Sequence, residues 1–310
     1  MRKIFFFLAA IVSLNLMATE GALNGKFTIN ASGDQIVFSK GNLQYVGTWQ
    51  FATNQWDCIG DSQQADDNRD LFGWGTGDAP NKVSDNCEDY ATFHEWGANP
   101  ITNGGNAANL WRTLTSDEWR YLFVTRNKAT ELFGVGKIGN IVYGAILLPD
   151  NWTLPDGASF ASASAKGYAF STDACDGYYE GISKTDNEYT IEQWAVMEAA
   201  GAVFLPAAGY RGVYDPDVIG DYWSATAIDE WFAYAFLVNA VSPKIFPTVC
   251  DLDNTSGVSV RLVQAAPIET AIETPSLQGR SGEAHKRLVN GQLLIEKNEK
   301  IYNAQGVELR

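Results

Sequence analysis

Histidine is almost absent from this 310-residue sequence, which contains only His94 and His285. A Ser–His–Asp arrangement would have to use His94, and the sequence contains no GxSxG motif. The HExxH motif is also absent, and two scattered histidines with four spread cysteines make a poor zinc site. Neither a phosphate-binding loop nor a dinucleotide-binding fingerprint occurs. These absences argue against the common hydrolase, metalloprotease and nucleotide-dependent classes of enzyme.

Positive charge is scarce. The chain has 22 Lys and Arg residues against 37 Asp and Glu, a formal net charge of −15. A field of this sign repels phosphate backbones, so we expect no nucleic-acid partner. The scarcity does not extend to residues 280–310, where six basic and four acidic residues give a net charge of +2.

Long apolar runs are missing, apart from one near the start of the chain. Arg2 and Lys3 precede the apolar run Ile4–Leu14, and small residues follow it up to Ala22. This run is shorter than the ~20 residues that span a bilayer, and its order is that of a secretory signal peptide. We therefore predict a signal peptide over residues 1–19, export to the extracellular space or outer cell surface, and no transmembrane span.

Cysteine is limited to four residues, an even number that permits two disulfides in an exported chain. We expect Cys58 to pair with Cys87, closing an Asp-rich loop, and Cys175 to pair with Cys250. Four free thiols packed in a core remain the alternative.

Aromatic residues and glycine are plentiful, with 39 Phe, Trp and Tyr residues and 29 Gly. Many short strand-like runs, turns and long loops predict an α+β protein with twisted antiparallel sheets. Two short helices are predicted where capping boxes begin, at Thr115 and Thr190. Strands are predicted at 26–30, 35–39, 43–46, 49–52, 141–148, 203–205, 222–225, 231–238 and 258–263. The predicted organisation is a domain over 20–264, a linker over 265–285 and a β tail over 286–310.

Eight strings in order resemble a known family. They are KGNLQY at 40–45, WQFA at 49–52, DLFGWGTG at 70–77, LTSDEWRYL at 114–122, LLPDNW at 147–152, FLPAAGYR at 204–211, GDYWSAT at 220–226 and GVSVRLV at 257–263. Together they resemble the FISUMP-type major paralogous domain of exported proteins from Bacteroidetes-like bacteria. That domain is similar in turn to the C-type-lectin-like fold, which the resemblance implies here for residues 20–264.

The same resemblance implies how the ends of the chain are used. The tail resembles a short Por-type sorting segment, which implies surface delivery, with a simple docking hairpin as the alternative. The formylglycine-generating relatives of the fold need a reactive cysteine pair. Because Cys250 has no neighbouring cysteine, that activity does not carry over.

Three large side chains in these strings have a structural interpretation. Trp223 and Trp74 are expected in the core rather than at a ligand. Arg261, a charge within an otherwise apolar strand, is expected to pair with a buried carboxylate.

The candidate binding residues flank an apolar strand-like run at 231–238, which we expect to be buried on both faces. Loops on a rigid scaffold commonly carry recognition, and the diversified receptors of the lectin-like fold place their ligand residues in this part of the chain. The candidates are Tyr214, Asp217, Asp229, Glu230, Asn239, Ser242, Lys244 and Phe246.

These features predict a non-enzymatic binding protein that recognises a glycan or a host or bacterial surface protein. A carbohydrate-active enzyme with paired carboxylates and a structural adhesin component are the alternatives. No cofactor is predicted. Calcium stays open, although neither acidic stretch follows the EF-hand spacing and the EPN, QPD and WND strings of calcium-dependent lectins are absent. The acidic stretches are Asp61, Asp66, Asp67, Asn68 and Asp70, and Asp251, Asp253 and Asn254.

Overall fold

The computed structural model describes residues 20–172 and 177–267, and the strand residues 285–289, 292–297, 300–303 and 308–309. The predicted signal peptide, Cys175 and nearly all of the predicted linker lie outside the described residues. The chain divides into two compact units, residues 1–267 and residues 268–310. Within the described residues, no helix combines the length and the apolar character needed to cross a membrane.

The elements of the first unit are short, and strands outnumber helices. The strands are β1 (Phe27–Thr28), β2 (Gln35–Phe38), β3 (Leu43–Tyr45), β4 (Trp49–Phe51), β5 (Phe133–Ile138), β6 (Val142–Leu147), β7 (Ala169–Ser171), β8 (Tyr178–Glu180), β9 (Glu188–Tyr189), β10 (Val203–Pro206), β11 (Ile219–Ala227), β12 (Phe232–Asn239), β13 (Lys244–Asp253) and β14 (Val263–Ala265). The helices are α1 (Ser116–Arg120), α2 (Ala163–Lys166) and α3 (Ile191–Ala199). Single helical turns occur at Asp61–Gln63, Cys87–Tyr90, Trp96–Ala98, Tyr121–Thr125 and Ala129–Glu131.

Four sheets build this unit, and almost all of their strand pairs are antiparallel. Their orders are β1-β2-β14, β3-β4, β10-β6-β5-β9 and β11-β12-β13-β8-β7. Among the described strands, β5 and β9 form the parallel pair. The predicted α+β class, with mostly antiparallel sheets and few helices, is confirmed.

The two longer helices begin where the sequence predicted. The Thr115 hydroxyl oxygen accepts a hydrogen bond from the Glu118 backbone N–H, and the Glu118 carboxylate accepts one from the Thr115 backbone N–H. These two bonds form a complete capping box. Thr190 and Gln193 make the same pair of bonds at the start of α3. Gly201, with φ of +98°, follows α3 in a conformation that costs other residues strain. The third helix, α2, was not predicted.

The largest core cluster lies between α1 and the inner face of the five-stranded sheet. Trp119 of α1 is fully buried and stacks on Phe236 of β12, with ring centroids 5.2 Å apart. Tyr222 of β11 and Ile245 of β13 belong to the same buried cluster. The alternate residues of each strand lie on the opposite, outer face. Part of that face is also buried, because Trp223, Ala233 and Ala235 pack in a second core cluster with Trp74 and Val260.

The second large sheet packs against α3. Trp194 and Met197 of α3 are buried with Ile146 of β6 and Phe204 of β10. Gly144 permits the close approach of β10 to β6, because a Cβ at this position would collide with the Leu205 carbonyl.

The strand predictions were right for the first four strands, β6, β10, β11 and β12. The strands β5, β7, β8, β9 and β13 were not predicted, and the predicted strand at 258–263 was mostly wrong. Residues 244–253, interpreted as part of a loop, form the ten-residue strand β13. The predicted strand 258–263 is mostly isolated bridges, and the regular strand β14 begins only at Val263. This strand contains Pro247 and directly follows Pro243, and it forms because it pairs with β12, which a local sequence pattern does not show.

The predicted Cys58–Cys87 disulfide is wrong, because both residues are free thiols. Burial, reinforced by Asp70 and Asp57, raises the pKa of the Cys58 thiol well above its usual range. Burial and Asp253 raise the pKa of Cys87. Cys250 is disulfide-bonded. Because Cys175 lies outside the described residues, its pairing with Cys250 stays a prediction.

Alkylation tests the two free thiols. We expect iodoacetamide to label both Cys58 and Cys87 in denatured, unreduced protein, as read by peptide mass mapping. In native protein at pH 8, Cys58 should react at least about tenfold more slowly than free glutathione, because the thiol form is favoured. A crosslinked peptide pair containing Cys58 and Cys87 would contradict the structure.

The second unit contains one antiparallel sheet. Its strands are β15 (His285–Val289), β16 (Gln292–Lys297), β17 (Lys300–Asn303) and β18 (Glu308–Leu309), hydrogen-bonded in that order. The predicted tail had three strand-like runs, so the fourth short strand is an addition.

Candidate binding face

The outer face of the five-stranded sheet carries two rows of side chains that cross its strands. In the first row, Asp221 pairs with Leu237, and Leu237 pairs with Phe246. Tyr178 continues this row, since its ring lies 5.2 Å from the Phe246 ring, and Ser171 ends it. Directly opposed residues point to the same face of a sheet, so these five side chains lie together.

The second row is more polar. Ile219 pairs with Asn239, Asn239 with Lys244, Lys244 with Glu180, and Glu180 with Ala169. Each member of this row is half-buried or exposed. The outer face, defined by these two rows, is therefore accessible to another molecule, in contrast to the buried inner face.

An aromatic pair lies at the centre of the outer face. Tyr178 and Phe246 are both half-buried, with an angle of 39° between their rings. The Lys244 ammonium lies 3.9 Å from the centroid of the Tyr178 ring, the geometry of a cation–π contact. The face thus offers ring surface, an apolar Leu237 edge and nearby polar groups, a combination that suits recognition.

Asp221 is the one fully buried member of the two rows. Its side chain is 1% exposed, and its Oδ1 has no hydrogen-bond partner among the described residues. Burial and the nearby Asp251 carboxylate raise the pKa of Asp221 to about 8. A buried carboxyl without a partner is costly, and such groups often belong to functional sites.

Three of the predicted binding residues lie on the outer face. Asn239, Lys244 and Phe246 belong to the two rows, at the end of β12 and the beginning of β13. Asn239 also holds the hairpin between these strands, because its Oδ1 accepts from the Val241 and Ser242 backbone at 2.8 and 2.9 Å. Ser242 is exposed in that hairpin.

Two predicted residues lie in the loop before β11. Tyr214 is 41% exposed there. Asp217 is turned toward the protein instead: its carboxylate accepts from the Tyr143 backbone at 2.7 Å and from Lys137 Nζ at 3.2 Å. Lys184 Nζ donates to the Asp217 carbonyl at 3.0 Å. These bonds hold the loop against β5 and β6, so Asp217 has a structural role.

The remaining two predicted residues lie at the opposite end of the sheet. Asp229 Oδ1 accepts from the Trp231 and Phe232 backbone at 2.8 and 2.9 Å and so closes the β11–β12 hairpin. Glu230 Oε1 accepts from the Trp231 indole at 3.0 Å. The eight residues of β12 separate this hairpin from Asn239 by about 25 Å. The eight predicted residues therefore do not form one site.

The burial predicted for residues 231–238 is only partly right. The strand alternates as expected, since Ala233 and Ala235 are buried on one side and Phe236 and Val238 on the other. Trp231, however, lies before the strand and is 55% exposed.

The core predictions for the two tryptophans are confirmed, while that for Arg261 needs correction. Trp223 and Trp74 are 1% and 4% exposed. Arg261 is fully buried, but its Nη2 donates to Gln55 Oε1 at 2.9 Å and its Nη1 to Asn42 Oδ1 at 3.3 Å. Amide oxygens replace the expected carboxylate, and burial lowers the pKa of Arg261 to about 10.

Acidic residues considered for calcium have other contacts. Asp70 is fully buried and accepts from the Ile59 backbone and from Gln64 Nε2, both at 2.7 Å. Asp61 accepts from the Gly212 backbone at 2.7 Å. Within the described part of the chain, no group of three or more His, Cys, Asp or Glu side chains is arranged to hold a metal ion.

The sequence interpretation missed Asp221, Leu237, Tyr178 and Glu180. Asp221 could have been found, because it shares a face with Trp223 inside a strand and is a single acid among apolar neighbours. Tyr178 and Glu180 could not, since only the pairing of β8 with β13 brings them to this face.

Comparisons with known proteins return no relatives: no family model matches the chain, nor does any curated protein or any solved structure.

Proposed function

We propose that this is an exported, non-enzymatic binding protein, acting outside the cell or on its outer surface, that recognises a glycan or a surface protein. The outer face of the five-stranded sheet is its binding surface. The main observation behind this proposal is the half-exposed Tyr178–Phe246 pair, with Lys244 over the Tyr178 ring. The buried Asp221, whose Oδ1 has no hydrogen-bond partner among the described residues, lies in the same row. Aromatic rings contribute large contact areas at low entropic cost and dominate many binding surfaces.

The sequence supports the same proposal from a different direction. The eight strings that resemble the FISUMP-type domain imply a C-type-lectin-like fold, and β11 and β12 contain the GDYWSAT string and the run that follows it. We further propose that the tail, through its likeness to a Por-type sorting segment, directs the protein to the surface.

The rigidity of the outer face favours binding. The strands that carry the face are held at one end by Asn239 and at the other by Asp229, each accepting two backbone hydrogen bonds. A face held in place by its hairpins loses little entropy when a ligand binds.

A glycan array and a pull-down with the full chain test this function. We expect Tyr178→Ala and Phe246→Ala each to weaken binding at least about tenfold, the loss typical of a buried aromatic anchor. Both side chains are half-buried, so the melting temperature should change little.

Trp231→Ala is the matched control, since Trp231 is an exposed aromatic residue at the other end of the sheet. This variant should bind like the wild type. Loss of binding in Trp231→Ala, with unchanged binding in the two face variants, would move the site to the β11–β12 hairpin and contradict the proposal.

A further inference from the structure

Asp221 combines three properties that a ligand could explain. It is a carboxyl in the first row of the outer face, it is 1% exposed, and its Oδ1 lacks a partner among the described residues. Its neighbour in the row, Leu237, is only half-buried, and so is Tyr210 beside it. The buried carboxyl is therefore next to two side chains, Leu237 and Tyr210, that are partly exposed.

The charges around Asp221 are negative or neutral. Burial raises its pKa, and within the part of the chain that the structure describes the charged group that adds to this effect is Asp251 of β13. Tyr210, from the loop before β11, also faces Asp221; its hydroxyl lies 2.5 Å from Ser256 Oγ, and burial raises its pKa. The charges of Asp253 and Arg211 shift the pKa of Tyr210, in opposite directions, and not that of Asp221. Among the described residues, no cation acts on the Asp221 carboxylate.

We propose that the ligand of the outer face is a basic segment of a protein, which inserts a lysine or arginine side chain beside Tyr210 and Leu237 to pair with Asp221. This inference rests on the proposed function and names its ligand class. The entering cation supplies the opposite charge that the site lacks, in surroundings where charge pairs are strong. Residues 19–279 carry 14 basic and 33 acidic residues, so the field also attracts such a segment.

The neighbouring row already shows a cation on this face. Lys244 places its ammonium over the Tyr178 ring, which demonstrates that the aromatic pair accepts positive charge. Lys244 is placed over Tyr178 and does not pair with Asp221, which lies at the other end of the first row. A cation of the ligand can therefore pair with Asp221 without displacing Lys244.

Binding of a cation should release a proton. Asp221 holds its proton below about pH 8, and the pair with an ammonium or guanidinium forms only with the carboxylate. The proton passes to the buffer as the cation enters. Affinity should therefore rise with pH up to about 8, by at most about tenfold per pH unit for one linked proton.

Calorimetry with three pentapeptides tests this inference on the full chain. The peptides are acetyl-Gly-Gly-X-Gly-Gly-amide with X as lysine, arginine or norleucine, titrated at pH 6, 7 and 8 in phosphate and in MOPS, which both accept protons over this range. We expect the lysine and arginine peptides to bind and the norleucine peptide not to bind. The measured binding heat should differ between the two buffers, because each buffer takes up the released proton with a different enthalpy. Asp221→Asn should lose at least about tenfold in affinity together with the pH dependence and the proton release.

Three results would overturn the inference. They are no binding of either basic peptide to the folded wild type, equal binding by Asp221→Asn, and binding without proton release below pH 8. If the basic peptides fail while a glycan binds in a manner sensitive to Tyr178→Ala, the ligand class is wrong and the binding function stands. If Tyr178→Ala and Phe246→Ala change no binding at all, the proposed function fails by its own test.

Discussion

Trp119→Ala is expected to lower the free energy of unfolding by about 3–5 kcal/mol, the range for deleting a large aromatic side chain from a core. Trp119 is fully buried and contacts the rings of Phe236, Phe123 and Phe38. Its indole also donates to the Trp223 carbonyl at 3.4 Å. The substitution removes the contact between α1 and the inner face of the sheet. Urea denaturation followed by circular dichroism measures the loss.

Trp231→Ala is the matched control for that measurement. It removes the same side chain from a position that is 55% exposed, so the free energy of unfolding should change by no more than about 0.5 kcal/mol. A loss below about 1 kcal/mol in Trp119→Ala, or equal losses in the two variants, would contradict the assignment of Trp119 to the central core.

Asp221→Asn is expected to stabilise the protein at pH 8, by about 5 kcal/mol if one linked proton accounts for the whole effect. The pKa of Asp221 is raised from 3.8 to about 8 in the folded protein. Between these values the folded state keeps the proton that the unfolded state loses. Wild-type stability therefore falls as pH rises through this window, and the asparagine variant lacks this contribution. Urea denaturation at intervals from pH 4 to pH 8 measures both profiles.

The two profiles should approach each other near pH 4, where Asp221 is protonated in the folded state and the unfolded-state carboxyl, with a pKa of 3.8, is still about half protonated. Asp251→Asn serves as the comparison, because Asp251 is exposed and only adds to the effect of burial on Asp221. It should reduce the slope without removing it. Parallel profiles for the wild type and Asp221→Asn would show that Asp221 is not a buried, unpaired carboxyl.

The opposite effects expected for Asp221→Asn link stability to function. The variant should gain stability at pH 8 while it loses the basic peptides. Residues kept in a protein at a cost to stability are commonly those that bind or react. Two measurements on one variant thus separate a functional carboxyl from a merely unfavourable one.

Local physical chemistry made several features predictable from the sequence. The capping boxes at Thr115 and Thr190 depend on residues three positions apart, so the pattern alone located the starts of α1 and α3. Alternation along 231–238 indicated which side chains of β12 share a face. Trp223 and Trp74, large apolar rings in short apolar strings, were assigned correctly to the core.

Non-local pairing decided the rest. Strand β13 contains Pro247 and no regular alternation. It is a strand because β12 and β8 provide partners on both sides. The same pairing separates Asp229 from Asn239 and brings Tyr178 to Phe246 from 68 positions earlier in the sequence. Arg261 likewise meets Gln55 and Asn42, more than 200 positions away. The α+β class, the starts of the two capped helices and the faces of β12 follow from residues that are neighbours in the chain, so local patterns are enough to predict them. The strand order, the free thiols of Cys58 and Cys87, and the outer face depend on which distant segments meet, so they become visible only in the folded protein.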